Sequence, residues 1–266
     1  MNVDIAFSPC PNDTFVFHAM LHGGIHTDPF TFVPHIADIE ELNHLAFKET
    51  YPITKLSFYA FLLLKDRYVL LDSGSALGYG CGPLLVAKQS LASIKDARIA
   101  VPGRYTTAYL LFQLWQGGCK HIEFMRFDQI LPAIASGRLD AGLIIHEGRF
   151  VHPAYGCIKI VDLGQWWETQ THQPIPLGCI AIHKEMLEHK STIESFLRAS
   201  TGYAMDHPNA SKEFIKTYAQ ELDDRVIAEH ISLYVNKFTL SLGQAGRSAI
   251  KTLEEKARCQ GILPSV

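Results

Sequence analysis

The sequence predicts an α/β protein with two lobes and a ligand cleft between them. Short apolar or β-branched runs alternate with helical segments as far as residue 183, which indicates largely parallel sheets covered by helices. From Lys184 onward the chain is helical in pattern and contains no good strand. Two apolar segments, residues 82–88 and 177–184, each end in a lysine before a more polar stretch, and we interpret them as paired crossings between the lobes.

The crossings divide the chain into two predicted lobes. Lobe one comprises residues 1–88 and 178–266, and lobe two comprises residues 89–177 inserted between them. Two crossings make a hinge, and the cleft between two lobes is a common ligand site. A single flavodoxin-like sheet is the alternative, but it would leave four C-terminal helices with no obvious surface to cover.

The individual elements follow from the period of the apolar residues, which is 2 in strands and 3.6 in helices. Segments with the strand period and segments with the helix period alternate along the chain, and glycine, proline and polar turn residues separate them. The predicted strands are 4–7, 30–35, 53–56, 83–87, 98–101, 122–127, 141–146, 158–162 and 179–183. The predicted helices are 14–22, 39–47, 58–64, 106–116, 128–136, 184–206, 209–221, 223–235 and 242–260.

The composition argues against nucleic-acid and membrane partners. The chain has 266 residues, of which 47% are hydrophobic and 19% charged, as expected for a globular protein with a large core. Its formal net charge of -3 supplies no basic field for nucleic acid or an anionic membrane surface. The start lacks a basic secretory signal and no apolar run reaches membrane-spanning length, so we expect a cytoplasmic protein.

Cysteine and histidine usage indicates neither disulfides nor a metal site. The six cysteines are scattered and form no CxxC pair, which is typical of reduced thiols. His18 and His22 are four residues apart, but no third ligand lies at a known zinc spacing. The glycine-rich run at residues 78–82 has neither the P-loop nor the dinucleotide-binding spacing. We therefore predict no metal and no cofactor.

Three strand-to-helix turns are the candidate binding elements. In residues 8–15 two prolines keep the backbone out of the helical region, after which Asn12 or Asp13 can cap the helix. Helix starts offer free N–H groups and favour anions, and in α/β sheets they face the ligand crevice. The alternative is an ordinary capped turn. The second turn is Lys55-Leu56-Ser57, in which Ser57 would cap the helix that follows. The third turn runs from Gly103 to Thr107, and Thr106 or Thr107 can cap the helix that follows it.

These turns predict a carboxylate-bearing small-molecule substrate, because three helix starts from two lobes would converge on one cleft. The alternatives are that Lys55 is a solvated edge residue and that Thr106 and Thr107 only cap a helix.

His146 ends the predicted strand 141–146, and imidazole titrates near neutral pH, so it is the candidate general base. Its alternative role is to close the strand. Cys10 lies in the first turn, but no partner histidine for a nucleophilic thiol is evident.

Five segments together resemble 1,4-dihydroxy-6-naphthoate synthases of the futalosine pathway of menaquinone biosynthesis, nearly end to end. They are residues 8–15, 54–57, 78–86, 101–108 and 140–147. The resemblance implies a type II periplasmic-binding-protein-like fold, cyclic dehypoxanthine futalosine as the substrate and a lyase step without a redox cofactor. It also implies that His146 is the proton acceptor and that Thr106 and Thr107 bind the substrate. Lys55, Leu56 and Ser57 would contact it chiefly through Ser57 and backbone groups.

Two rival functions stay open at this point, and so does a homodimer. A non-catalytic solute-binding protein would use the same two-lobed clamp, although the chain shows no export signal or lipoprotein cysteine. Chorismate dehydratase is an enzyme of the same pathway with a similar fold. Residues 8–15 and the context of His146 favour the synthase.

Overall fold

The computed structural model describes residues 1–219 and 223–264, and its strands form two sheets. Every strand that the sequence predicts is present, and the sequence does not predict two further strands of three residues each, β4 (Tyr68–Leu70) and β5 (Ala76–Gly78). Three residues are too few to show a period of 2, which is why sequence patterns miss them. The strands are β1 (Asn2–Phe7), β2 (Thr31–Ile36), β3 (Ile53–Ser57), β4 (Tyr68–Leu70), β5 (Ala76–Gly78), β6 (Leu84–Ala87), β7 (Arg98–Val101), β8 (His121–Phe124), β9 (Ala141–Ile144), β10 (Ile158–Asp162) and β11 (Ile175–His183).

The helices also follow the prediction closely, with three additional ones, α6 (Gly148–Val151), α7 (Leu163–Thr171) and α11 (Lys237–Leu240). The predicted helix 209–221 corresponds to α9, and its last two residues lie outside the described part of the chain. Residues 184–189 form a 3₁₀ turn that leads into α8. The helices are α1 (Pro11–Leu21), α2 (Ile39–Ala46), α3 (Phe58–Leu63), α4 (Thr107–Gln116), α5 (Ile130–Ala135), α6 (Gly148–Val151), α7 (Leu163–Thr171), α8 (Lys190–Asp206), α9 (Lys212–Tyr218), α10 (Asp224–Tyr234), α11 (Lys237–Leu240) and α12 (Gly243–Cys259).

Each sheet combines parallel and antiparallel pairs, so the expectation of largely parallel sheets is wrong. The first sheet has the order β2-β1-β3-β11-β4, with β5 also pairing with β11, and the second has the order β10-β6-β9-β7-β8. Strands β1, β2 and β3 are joined through helices α1 and α2, and β1 pairs in parallel with both β2 and β3. Strands β6 and β11, the first strands after each crossing, run antiparallel to their neighbours because they enter from the other sheet.

The membership of the strands in the two sheets favours crossings earlier in the chain than the predicted lobe boundaries. Strand β6 (Leu84–Ala87) belongs to the second sheet, although the predicted lobe one extends to residue 88. Strand β11 begins at Ile175 and belongs to the first sheet, although the predicted lobe two extends to residue 177. We therefore propose crossings at residues 79–83 and 172–174, and below we use "lobe one" and "lobe two" for the parts of the chain that carry the first and second sheet.

The C-terminal helices cover lobe one, so they have the surface that a single flavodoxin-like sheet would not offer them. Helix α8 packs on α1, and α12 packs on β11 and on α4 of lobe two. One apolar core runs through both lobes, from Phe58 of α3 to Leu111 of α4, Trp167 of α7 and Leu253 of α12. No helix within residues 1–219 and 223–264 is long and apolar enough to cross a membrane.

The first crossing depends on two glycines whose backbones touch. A Cβ added to Gly82 would lie 2.3 Å from both the Cα and the backbone N of Gly164, and backbone cannot move aside cheaply. We expect Gly82→Ala to lower the free energy of unfolding by about 1–3 kcal/mol, as overpacking does. Gly202→Ala is the matched control, since a Cβ there meets no atom within 4 Å and a helix gains up to about 1 kcal/mol from alanine. Urea denaturation measures the free energy of unfolding of both variants. Equal free energies of unfolding for Gly82→Ala and Gly202→Ala would contradict the expectation.

Candidate active site

The two lobes enclose a cleft of about 620 Å³, part of it open to solvent. All but one of the site residues that the sequence predicts line this cleft, which brings the three helix starts and His146 together. The lining also includes residues that the sequence did not single out. The lining residues are Ser8, Asn12, Asp13, Ile39, Lys55, Ser57, Ala76, Cys81, Pro83, Thr106, Thr107, Ala108, Ile145, His146, Leu177, Gly178 and Tyr234.

Leu56 is the predicted site residue that does not line the cleft. It is fully buried in the apolar core, while Lys55 and Ser57 on either side border the cleft. The cause is the alternation of side chains along a strand, which sends successive residues to opposite faces. The prediction that Leu56 contacts substrate can therefore concern only its backbone.

The first helix start differs from its prediction in one respect. Helix α1 begins at Pro11 with Cys10 as its N-cap residue, so neither Asn12 nor Asp13 caps it. Proline suits the first helical position because its fixed φ is helical and its missing N–H would have no partner there. Asn12 and Asp13 consequently lie in the first turn, where both side chains are buried at the edge of the cleft.

A buried ion pair joins this helix start to the second one. The Nζ of Lys55 lies 2.5 Å from Oδ1 of Asp13, and both side chains are about 95% buried. Asp13 also accepts hydrogen bonds from Ser8 Oγ at 2.6 Å and from Asn12 Nδ2 at 2.8 Å. Among the described residues, Asp13 is the only hydrogen-bond acceptor for Lys55 Nζ. An ammonium group has three donors, so Lys55 can offer the others to a carboxylate or oxyanion in the cleft.

Ser57 is the N-cap residue of α3, as predicted, but its side chain does not cap the helix. Instead, Asn43 of α2 donates to Ser57 Oγ at 3.1 Å and accepts from Ser57 N at 3.0 Å. The Ser57 hydroxyl thereby keeps its own proton for a ligand. Asn43 is fully buried, and a single asparagine within the helical pattern of α2 gives no sequence signal for this role.

The third helix start holds the lobes together as well as lining the cleft. Thr106 caps α4 as predicted, with Oγ accepting from Tyr109 N at 3.3 Å and donating to Gly103 O at 2.9 Å. Thr107 Oγ donates to Leu177 O of lobe one at 2.6 Å. Since both hydroxyl protons bond to the protein, these threonines offer a ligand mainly the backbone N–H groups of the helix start.

A carboxylate from lobe one also binds the turn before α4. Glu40 accepts from Tyr105 N at 3.1 and 3.2 Å through its two oxygens. Gly103 makes the approach possible, because a Cβ at that position would lie 2.4 Å from the Glu40 carboxyl carbon. Burial raises the pKa of Glu40, with the hydrogen bonds from Asn43 and Tyr105 acting in the opposite direction. Tyr105 packs against Phe47 and does not line the cleft.

His146 lies two residues beyond the end of β9, in a left-handed backbone conformation with φ of 54°. The strand predicted to reach it ends at Ile144. Its Nδ1 lies 3.3 Å from Cys10 Sγ, and its Nε2 is buried with no hydrogen-bond partner among the described residues. Burial lowers the pKa of His146 to about 4, a shift that Asp13 opposes and Lys55 reinforces. The ring is therefore a neutral base next to the cleft at neutral pH.

His230 of α10 is a buried histidine that the sequence reading missed. Its Nε2 lies 2.8 Å from Asn12 Oδ1, and its ring is nearly parallel to that of His146, with centroids 6.3 Å apart. Burial lowers the pKa of His230 well below its usual value, and His146 and Lys55 lower it further. The sequence signal for this role is that His230 recurs at helical spacing with apolar residues. The buried face of α10 comprises Val226, Ile227, His230 and Tyr234.

Trp167 and Arg149 lie outside the cleft lining and make structural contacts. Trp167 is fully buried and donates from Nε1 to Pro174 O at 3.1 Å. Arg149 binds Gly82 O at 2.7 Å and Asp162 at 2.6 Å, next to the first crossing. Within the described ranges, no group of three or more histidine, cysteine, aspartate or glutamate side chains could hold a metal ion.

Comparison with known proteins identifies relatives along almost the whole chain. A family model described as "Menaquinone biosynthesis" matches residues 3–259. A 1,4-dihydroxy-6-naphthoate synthase of Thermus thermophilus is 44% identical, covering 97% of this chain and 94% of its own. One of Streptomyces coelicolor with the same name is 41% identical, covering 99% and 95%.

Solved structures establish the fold. A crystal structure of an Archaeoglobus fulgidus protein superposes with a TM-score of 0.94 at 36% identity, covering 98% of both chains. A Candida albicans protein described as having the generic periplasmic binding protein fold superposes with a TM-score of 0.69 at 13% identity, covering 100% of this chain and 92% of its own. The chain therefore has the two-lobed periplasmic-binding-protein-like fold that the sequence predicts.

The two buried histidines should make stability depend on pH. The folded protein keeps both rings neutral, while the unfolded chain takes up protons as the pH falls through about 6.5. The free energy of unfolding should therefore fall between about pH 6.5 and 4, by up to ~1.4 kcal/mol per pH unit for each histidine. Urea denaturation at a series of pH values measures this slope.

Matched variants separate the histidines from other titrating groups. His146→Gln and His230→Gln should each reduce the slope, whereas His26→Gln should leave it unchanged because the His26 side chain is 84% exposed. Identical slopes in all four proteins would contradict the assignment.

Proposed function

Since the chain belongs to the menaquinone biosynthesis family, we propose that it is an enzyme that forms 1,4-dihydroxy-6-naphthoate. Two relatives that carry this name are 44% and 41% identical over nearly their full lengths. The observation that carries the proposal is the pairing of a neutral His146, whose Nε2 has no partner among the described residues, with the Lys55 ammonium in one cleft.

The proposed substrate is cyclic dehypoxanthine futalosine, and the proposed step is a carbon–carbon lyase reaction. Cleavage would give 1,4-dihydroxy-6-naphthoate and a small sugar-derived fragment. The electron pair of the broken bond stays on the ring fragment, so the step is not a net oxidation or reduction and needs no redox cofactor. The cleft lies between the two lobes, where small-molecule sites commonly occur.

Binding of the substrate carboxylate is assigned to lobe one. Lys55 supplies a charge-assisted donor, Ser57 supplies a hydroxyl held by Asn43, and the helix starts supply N–H groups. Asp13 balances the Lys55 charge before substrate binds, which makes a buried ammonium tolerable. The donors are fixed before the reaction, so they can also stabilise charge that develops on a substrate oxygen.

His146 is assigned as the general base from lobe two. Its neutral Nε2 takes the proton from a substrate hydroxyl, the oxygen forms a carbonyl, and the adjacent carbon–carbon bond breaks. The electron pair passes into the ring fragment, whose aromatisation drives the step forward. Closure of the two lobes removes water from around the base and the donors. Their interactions with the substrate are stronger without water.

Product analysis tests the base assignment. Pure protein is incubated with cyclic dehypoxanthine futalosine and the mixture is analysed by mass spectrometry for 1,4-dihydroxy-6-naphthoate. His146→Gln should lower kcat by roughly 10²–10⁴-fold, the usual contribution of a general base. His44→Gln is the matched control, because that ring is more than half exposed and lies outside the cleft lining. Full turnover by His146→Gln would reject the base assignment.

The same mixtures separate the rival functions. A solute-binding protein would retain the substrate unchanged, and equilibrium binding without any product would favour it. A chorismate dehydratase would remove water from chorismate, which a parallel incubation with chorismate detects. Formation of the naphthoate from cyclic dehypoxanthine futalosine alone supports the synthase.

Replacement of Lys55 tests the carboxylate site. Lys55→Met alone would leave Asp13 buried without its counter-charge, so the informative variant is the double change Asp13→Asn with Lys55→Met. We expect KM to rise roughly 10–100-fold, the usual value of a hydrogen bond to a charged group. Lys65→Met is the control, because Lys65 pairs with Glu254 away from the cleft. An unchanged KM would place the substrate carboxylate elsewhere.

A further inference from the structure

We infer that Cys10 is a positioning residue for His146, because its sulfur accepts a hydrogen bond from Nδ1–H and so keeps the lone pair on Nε2. The inference rests on the proposed role of His146 as the base. Cys10 is buried in the first turn of lobe one, and His146 follows β9 in lobe two. The Sγ–Nδ1 contact of 3.3 Å thus spans the two lobes and forms where they meet.

The direction of this hydrogen bond follows from the cost of the alternative. If the thiol donated to Nδ1, the ring proton would lie on Nε2, which is buried and has no acceptor among the described residues. A buried N–H without an acceptor is costly, whereas a thiol is a weak donor and loses little when its proton is unpaired. The tautomer with the proton on Nδ1 is therefore favoured.

Both groups are neutral, which separates this contact from a thiolate–imidazolium pair. Burial raises the pKa of the Cys10 thiol well above its usual value, and the nearby carboxylates of Glu147 and Asp13 raise it further. Burial also lowers the pKa of His146. A neutral thiol is a poor nucleophile, so the position of Cys10 suits a hydrogen-bonding role and not covalent catalysis.

Other contacts orient the His146 ring but do not distinguish its nitrogens. The backbone at His146 has φ of 54°, an uncommon conformation for a residue other than glycine. The edge-on contact with Phe127 has a centroid distance of 4.9 Å, and the His230 ring lies nearly parallel at 6.3 Å. Aromatic contacts tolerate either tautomer, so Cys10 is the neighbour that selects one.

The test reads the tautomer directly and independently of turnover. Protein labelled with ¹⁵N-histidine is examined by long-range ¹H–¹⁵N NMR, with His146→Gln used to assign the signal. The resting protein should show His146 with a protonated Nδ1 and an unprotonated Nε2. In Cys10→Ala neither nitrogen has a partner, so the signal should move to a mixture of tautomers. Cys10→Ser keeps an acceptor and should keep the original tautomer.

Turnover of the same variants supplies the second readout. We expect Cys10→Ala to lower kcat roughly 10–100-fold, by analogy with other partners that fix a histidine tautomer, while KM changes little. Cys10→Ser should recover much of the lost kcat. Cys157→Ala is the matched control, since Cys157 is a buried thiol outside the cleft.

Two results would overturn the inference. One is a His146 signal with the proton on Nε2 in the wild-type protein, and the other is a Cys10→Ala protein with unchanged tautomer and kcat. If Cys10→Ala does not fold, the tautomer of His146 in the wild-type protein and in Cys10→Ser still tests the role of Cys10. A wild-type protein that makes no naphthoate contradicts the proposed function, whereas one that makes it with the proton on Nε2 contradicts only the role of Cys10.

Discussion

The buried ion pair between Lys55 and Asp13 is the constraint on which the rest of the cleft depends. Two charges removed from water are stable only when each is close to its partner and the remaining polar atoms are satisfied. Asp13 meets this condition through Ser8 and Asn12, and Asn12 in turn contacts His230 of α10. One carboxylate therefore holds the first turn of α1 against β3 and, through Asn12, against a C-terminal helix.

The two lobes contribute different chemistry to the same space. Lobe one supplies cationic and hydroxyl donors from Lys55 and Ser57, and lobe two supplies a neutral base from His146. His146 can act as a base only while its ring is unprotonated. Burial keeps the ring unprotonated by lowering the pKa of His146, and the nearby Lys55 ammonium acts in the same direction. The contacts of Glu40 with Tyr105 and of Thr107 with Leu177 hold the lobes in register, so that both sets of groups reach one ligand.

Sequence patterns were sufficient for the local structure and for most of the cleft residues. The alternation of strands and helices, the three turns and the histidine after β9 can each be recognised within a short window of the chain. The errors are local as well. Because Pro11 suits the first helical position, α1 begins before Asn12. The strands beside the crossings are antiparallel and not parallel as the sequence predicts, because a short window does not show from which sheet a strand enters.

By itself, the sequence determined the α/β class, the helix starts that face the cleft, and His146 as the candidate base, because each depends on neighbouring residues. Only the tertiary structure decided which groups meet. It paired Lys55 with Asp13, Asn12 with His230 and Cys10 with His146, and it sent Leu56 into the core. These residues are up to 218 positions apart, and contacts across such separations depend on how whole sheets and helices pack, which no local pattern records.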